Sequence, residues 1–201
     1  MSKPEPLQYG QYYHIYNRGN NGEILFREER NYPYFLKLYA KHIEPVAATY
    51  AYCLMSNHFH LLVRIKTVEE QDLTGFENLS GLNPSQQFAN LFNAYTKAFN
   101  KAYQRTGSLF EKPFRRKLVD NDRYVTALIV YIHRNPQIHG FVTNFRNWPY
   151  SSYSALVSSE ATRVQRDTVL DWFDNQRGFE KLHLVEADEA VIKPLIADDF
   201  V

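Results

Sequence analysis

His58 and His60 are the residues whose types and spacing most directly suggest chemistry. On a β-strand, residues two apart point to the same face, so the two imidazoles would stand side by side. The alternate positions are apolar and suit a face that packs on the hydrophobic core: Phe59, Leu61, Val63 and Ile65. The pattern predicts that both histidines lie on the side away from the core. They could bind a metal, but two ligands leave a site incomplete, so a third must come from elsewhere.

The segment 124–136 is the second candidate, because it reads as a helix closed by Pro136. On a helix, Tyr131 and Asn135 are four residues apart and are therefore neighbours on one face. Tyr124 lies two turns before Tyr131 and faces roughly the same way. The spacing alone fits equally an ordinary amphipathic helix whose tyrosines complete the core.

Positive charge is concentrated in residues 97–134, although the whole chain has a net charge of only +1. That stretch holds nine lysines and arginines against three acids, a balance of +6, and aromatic residues are interleaved with them. Clustered positive charge suggests a polyanionic partner, and aromatic rings can stack on exposed bases. A solvated basic face would explain the charge as well.

Composition limits the class of protein. The 201 residues suit one domain of ordinary size, and 44% hydrophobic with 22% charged residues is close to the globular average. No apolar run approaches the roughly 18 residues needed to cross a bilayer, so no membrane partner and a cytoplasmic location are expected. The single cysteine, Cys53, excludes an internal disulfide framework and a cysteine-rich zinc site.

Hydrophobic periodicity and turn signals predict the elements that position these residues. Strands are expected at 8–16, 46–55 and 58–65, with one or two more within 107–119. Helices are expected at 28–43, 85–104 and 123–134, with a short one near 167–173. This order predicts an α+β sandwich, with a central antiparallel sheet and helices packed on it.

Together these features resemble a known family. A strand-borne His-hydrophobic-His motif, followed by a helix with Tyr-Ile-x-x-Asn-Pro, is similar to the single-tyrosine HUH transposases. The closer match is the branch called REP-associated tyrosine transposases. The resemblance covers roughly residues 8–155. It runs through 13–19 (YHIYNRG), 55–63 (MSNHFHLLV), 107–110 (GSLF), 131–136 (YIHRNP), 140–142 (GFV) and 148–153 (WPYSSY).

The resemblance implies a ferredoxin-like HUH fold and a metal-dependent endonuclease that nicks and rejoins single-stranded DNA. In that family, the histidine pair and a polar residue one turn after the tyrosine hold a divalent metal. Those positions fall here on His58, His60 and Asn135, a donor set that suits Mg²⁺ or Mn²⁺. Tyr131 would attack the phosphorus, giving a 5′-phosphotyrosine link. A phenol with a pKa of about 10 leaves more readily than an alkoxide, so the link stays reactive.

The resemblance also implies the substrate, which is single-stranded DNA beside the imperfect palindromes called REP elements, and a role in DNA transposition and recombination. Asn17 and Arg18 are expected to read unpaired bases. The expected backbone contacts are Lys97, Lys101, Arg105, Lys112, Arg115, Arg116 and Lys117. We expect a monomer or homodimer. His14, His133 and His139 are expected to be structural or to face solvent.

Other functions stay open at this point. A domesticated protein could bind REP hairpins without cleaving them, although the intact set of His58, His60, Tyr131 and Asn135 argues against this. A ferredoxin-like RNA-binding domain would use strand aromatics but leaves the histidines unexplained. A replication initiator or relaxase of the same class is disfavoured by the short chain and its single candidate tyrosine.

The last part of the chain matches no part of the family pattern. We therefore predict a transposase domain over 1–160 and an acidic extension over 161–201. Residues 160–201 hold ten acids and five basic residues. Residues 180–201, with six acids and two lysines, also carry apolar residues, so this segment either completes the fold or docks on the basic surface and competes with DNA.

Overall fold

The computed structural model describes residues 5–72 and 81–185, together with Lys193 and Ile196; the side chains of residues 122 and 123 are not described. The strands are β1 (Tyr12–Arg18), β2 (Ala47–Leu54), β3 (His58–Ile65) and β4 (Arg115–Val119). The α-helices are α1 (Asn31–His42), α2 (Pro84–Ala102), α3 (Asp122–Ile138), α4 (Tyr153–Val157), α5 (Arg166–Trp172) and α6 (Gln176–Leu184). No described helix is long and apolar enough to cross a membrane.

The four strands form one antiparallel sheet in the order β2-β3-β1-β4. A tight turn joins β2 to β3, where the backbone N–H of Met55 donates to the carbonyl oxygen of His58 at 2.8 Å. This turn fixes the register of the hairpin and places His58 at the first position of β3. The predicted α+β class, with helices packed on a central antiparallel sheet, is confirmed.

Each face of the sheet carries its own hydrophobic core. On one face, Phe59 and Leu61 of β3 pack with Phe35 of α1 and Phe88 of α2. On the other face, the core contains residues of β2, β3 and α3 to α6: Cys53, Leu62, Ile129, Leu156, Val169 and Phe179. The expectation that the histidine side of β3 lies away from any core is therefore wrong, because α3 covers that side.

Two elements extend further than predicted. β1 continues through Arg18, so Asn17 and Arg18 are strand residues rather than loop residues. α3 continues through Pro136 to Ile138, because a proline in the last turn removes only one backbone hydrogen bond. The chain leaves this helix at Gly140, whose positive φ of 72° ends the turn. Asn135 therefore stays in helical register with Tyr131.

The short helix expected near 167–173 is present as α5. α5 and α6 pack into the second core through Val169 and Phe179, both fully buried. The predicted domain boundary between residues 160 and 161 stays a prediction. The tail segments 186–192, 194–195 and 197–201 lie outside the described residues.

Candidate active site

Two elements bring the four predicted catalytic residues together. His58 and His60 point from β3 toward α3, which carries Tyr131 and Asn135 one turn apart. The rings of His60 and Tyr131 have centroids 5.7 Å apart. The Nε2 atom of His58 lies 3.3 Å from Oδ1 of Asn135. The strand period of two puts the two histidines on one face of β3, and the helix period of 3.6 puts Tyr131 and Asn135 on the face of α3 that packs against it.

His58 is held between two amide oxygens. Burial, helped by the neighbouring His139, lowers the pKa of His58 to about 4, so its ring is neutral near pH 7 and has one N–H. Its Nδ1 lies 2.7 Å from Oδ1 of Asn57, and its Nε2 faces Oδ1 of Asn135. A neutral ring has one N–H, so the tautomer decides which of the two amide oxygens accepts a hydrogen bond from His58. A cation bound between Nε2 and the Asn135 oxygen would be coordinated by both atoms.

His60 is held by a second histidine. Its Nδ1 lies 3.0 Å from Nε2 of His14, which is fully buried on the adjacent strand β1. Burial, followed by the influence of His14, holds the pKa of His60 well below its ordinary value. The imidazole is therefore neutral, and because His14 engages Nδ1, a metal could be coordinated only by Nε2.

A small cavity lies beside the two histidines. Its volume is about 10 Å³, and Tyr16, Arg18, His58 and His60 are among the residues that line it. This is close to the smallest volume that accommodates one water-sized sphere. The cavity thus has room for one small ion or water beside the two histidines.

Asn135 has the features of a ligand rather than of a packing residue. It is fully buried, and within the described part of the chain its Nδ2 atom has no hydrogen-bond partner. A buried polar atom without a partner costs about 1–3 kcal/mol. Among residues 5–72 and 81–185, no three His, Cys, Asp or Glu side chains are arranged to hold a metal ion. A metal here could take the Asn135 amide oxygen as its third protein ligand beside the two imidazoles.

Tyr131 is buried beside the paired histidines. Its side chain is 0% exposed, so its hydroxyl group is shielded from bulk solvent in this conformation. Tyr124, the other tyrosine of the same helix, is only half-buried. A phosphate could reach Tyr131 only after a movement of the surrounding residues.

The sequence analysis missed two neighbours of the site. It treated His14 and His139 as structural or solvent-facing, and each of them contacts one of the paired histidines. His139 is exposed, and its ring centroid is 5.0 Å from that of His58. For His14 the available signal was the strand alternation of His14, Tyr16 and Arg18, which places all three on one face. For His139 the available signal was its position four residues after Asn135, which continues the helical face of Tyr131 and Asn135.

His133 is structural, as expected, although it lies between Tyr131 and Asn135. Its ring nitrogens contact Nε2 of His183 at 2.8 Å and Oγ of Ser152 at 2.8 Å. His183 in turn donates from Nδ1 to the carbonyl oxygen of Phe179 at 2.7 Å. This buried chain of hydrogen bonds attaches α6 to α3.

The residues predicted to bind DNA are distributed over several surfaces. Lys97 and Lys101 are exposed on α2, and Lys112 is exposed in the loop before β4. Arg105 is engaged within the protein, where it donates to Asn100 at 2.8 Å and pairs with Glu23 at 3.4 Å. Their role in DNA binding stays a prediction.

Asn17 and Arg18 occupy the end of β1. Asn17 is buried, and its Nδ2 donates to the carbonyl oxygen of Glu111 at 3.2 Å. Arg18 lies in register with His58 and is about one-third exposed. Of the two, Arg18 is therefore the residue that a bound strand could reach directly.

Comparisons with known proteins find a sequence relative and a structural relative. No family model matches the chain. It is 28% identical over 114 residues to a curated protein of Haemophilus influenzae named REP-associated tyrosine transposase, a match that covers 56% of this chain. The chain spans 62% of that relative's length.

A solved structure extends the comparison to the fold. It is described as a REP-associated tyrosine transposase bound to a REP hairpin, and it superposes with a TM-score of 0.55 at 16% sequence identity. The superposition covers 79% of this chain and 86% of the other. The chain is therefore similar to the REP-associated tyrosine transposases in sequence and in fold, which confirms the resemblance of its motifs.

Proposed function

We propose that this protein is a transposase that nicks and rejoins single-stranded DNA beside REP-type hairpins. The observation that carries the proposal is the convergence of His58, His60, Tyr131 and Asn135 at one point between β3 and α3. The name of the curated relative and the hairpin bound in the related structure support the same substrate class.

Tyr131 is the proposed nucleophile. Its phenolic oxygen forms a bond to the scissile phosphorus while the bond to the 3′ oxygen breaks, and the phenol proton is transferred to the departing oxygen. The products are a 5′-phosphotyrosine and a free 3′-OH. Attack by that hydroxyl, or by another 3′-OH, reverses the step and releases the tyrosine. Each step replaces one phosphodiester bond by another, so strand joining needs no ATP.

The paired histidines and Asn135 form the proposed metal site. Both imidazoles are neutral near pH 7 because they are buried, and neutral imidazole is the form that binds metals. Asn57 and His14 orient the two rings. Mg²⁺ or Mn²⁺ held there would polarise the scissile phosphate and stabilise the departing 3′ oxygen.

A second candidate function is hairpin binding without cleavage. The complete burial of Tyr131 favours it, because a nucleophile must reach its phosphate and this one is shielded. Under this alternative, the site residues would remain as part of the second core. The two candidates differ in whether a covalent product forms.

Covalent trapping separates the two candidates. Full-length protein is incubated with Mn²⁺ and single strands that carry hairpins from the DNA flanking the gene, and the products are resolved on a denaturing gel. We expect a protein–DNA adduct with the wild type and with Tyr124→Phe, the matched control on the same helix, and none with Tyr131→Phe. Hairpin binding without an adduct would favour the second candidate. An adduct that persists in Tyr131→Phe would show that the nucleophile is another residue.

A further inference from the structure

The register of β4 decides which of its basic residues face the candidate active site. Residues in register on neighbouring antiparallel strands point to the same face of the sheet. Tyr16 is in register with His60 on one side and with Arg115 on the other. His14, which contacts His60, is in register with Lys117. Arg115 and Lys117 therefore lie on the same face as the paired histidines.

Arg116 lies between them and points to the opposite face, in register with Ile15. Its Nη1 donates to the carbonyl oxygen of Glu5 at 3.2 Å and to Oγ of Ser85 at 3.0 Å. Its guanidinium group lies 3.9 Å from the ring centre of Phe114. These contacts attach the N-terminal segment and the first turn of α2 to the sheet. Arg116 is thus engaged in packing, on the side away from the site.

One carboxylate holds two arginines at the edge of the site. Glu111 pairs with Nη2 of Arg115 at 3.3 Å through Oε2 and with Nε of Arg18 at 4.0 Å through Oε1. All three side chains are about one-third exposed. Glu111 limits the conformations of both guanidinium groups, and both stay partly exposed. Such a fixed, partly exposed cation pair is suited to bind an anion.

The register also fixes the order of these cations relative to the histidine pair. Arg18 is in register with His58 and lines the small cavity beside the paired histidines, so an anion bound by Arg18 at the surface would lie next to them. Neighbouring strands are about 4.8 Å apart, which places the backbone of Arg115 roughly 10 Å from that of His60. Arg115 and Lys117 are two residues apart on one strand, or about 6.8 Å. The three cations therefore form a row that begins beside the histidine pair on β1 and runs onto β4.

We propose that Arg18, Arg115 and Lys117 form a phosphate track, which binds successive phosphates of the single strand that leads to the scissile phosphate. Glu111 keeps the two arginines in place. Arg116, although adjacent in sequence, is not part of this track. The inference rests on the proposed function and adds the path of the DNA strand across the protein.

Salt-dependent binding tests the track. The probe is fluorescently labelled single-stranded oligothymidylate, and its affinity for the full-length protein is measured by anisotropy over a series of NaCl concentrations, with a chelator present. Each lost phosphate contact lowers the slope of log K against log[salt] by about 0.7 for a single strand. We expect this decrease, and weaker binding, for Arg115→Gln and Lys117→Gln. We expect no change in slope for Arg116→Gln, the matched control, but a lower melting temperature.

A charge-conserving variant separates phosphate contact from structural damage. Arg115→Lys keeps the cation, so the wild-type slope should be retained while Arg115→Gln loses part of it. The track is excluded if wild-type protein binds no single strand, if neither glutamine variant changes the slope, or if Arg116→Gln changes it as much. Because the chelator prevents cleavage, these slopes are independent of the adduct assay, whose failure would overturn the proposed function instead.

Discussion

His58 and Asn135 are 77 positions apart in the chain, and Nε2 of the first lies 3.3 Å from Oδ1 of the second. The first residue of β3 and the last turn of α3 thus meet. The single N–H of the neutral His58 ring binds Asn57 or Asn135, depending on the tautomer. A cation bound between Nε2 and Oδ1 would be coordinated by both atoms, so this contact is the structural basis of the predictions on metal binding.

Removal of either paired histidine should weaken metal binding. We expect His58→Ala and His60→Ala each to reduce the affinity for Mn²⁺ by at least about tenfold, because each removes one of three protein ligands. Isothermal titration calorimetry or the EPR signal of free Mn²⁺ measures this in the absence of DNA. His42→Ala is the control, since His42 is half-buried on α1 beside Gln87. Equal Mn²⁺ affinity in all three variants and the wild type would rule out the metal site.

Asn135 should matter more for metal binding than for stability. Its Nδ2 atom has no hydrogen-bond partner within the described residues, so loss of the amide removes an unfavourable buried group together with a few contacts. We expect Asn135→Ala to change the free energy of unfolding by less than about 1 kcal/mol. Its effect on Mn²⁺ affinity should be milder than that of either histidine variant, since water can replace a neutral ligand. Urea denaturation that shows a large loss of stability would assign Asn135 a packing role.

α6 should contribute strongly to stability. Phe179 is fully buried in the second core, where its ring packs against Tyr153 at 5.5 Å and Phe173 at 5.1 Å between ring centroids. We expect Phe179→Ala to lower the free energy of unfolding by about 3–5 kcal/mol. Leu184→Ala on the same helix is the control, since Leu184 is 64% exposed, and should change little. Similar stability of the two variants would mean that α6 is not part of the folded core.

Stability should fall as the pH drops below about 6.5. Burial lowers the pKa of His183 to about 4. Between this pKa and the ordinary value of about 6.5, His183 is therefore protonated in the unfolded chain but neutral in the folded chain. The contribution of neutral His183 to the free energy of unfolding is fully present above the unfolded pKa. It falls progressively, by up to about 3 kcal/mol, as the pH drops to about 4. Urea denaturation at several pH values, in the presence of a chelator, measures the slope.

His183→Leu provides the comparison for that slope. The variant lacks the titrating ring, so its stability should depend less steeply on pH between about 6.5 and 4. Its absolute stability will also be lower, because Nδ1 of His133 loses its partner. Only the slopes are therefore compared. Parallel slopes in the two proteins would contradict the assignment of this pH dependence to His183.

The sequence by itself determined the local geometry of the site. The alternation of a strand set His58 and His60 on one face, and the helical period set Asn135 one turn after Tyr131. The bounds of β3 and the antiparallel α+β class followed from the same periodicity and from the turn after Met55. These features depend on residues close together in the chain, whose spacing fixes the directions of their side chains.

Only the tertiary structure decided what surrounds those side chains. The packing of α3 on β3 buries His60, which the sequence analysis placed away from the core, and Tyr131, whose burial the sequence analysis left open. The pairing of β1 with β3 adds His14, and the end of α3 adds His139. Such contacts join residues far apart in the chain. They depend on which face of the sheet each helix covers. Local periodicity does not determine that face, because an amphipathic helix can pack against either side of the sheet.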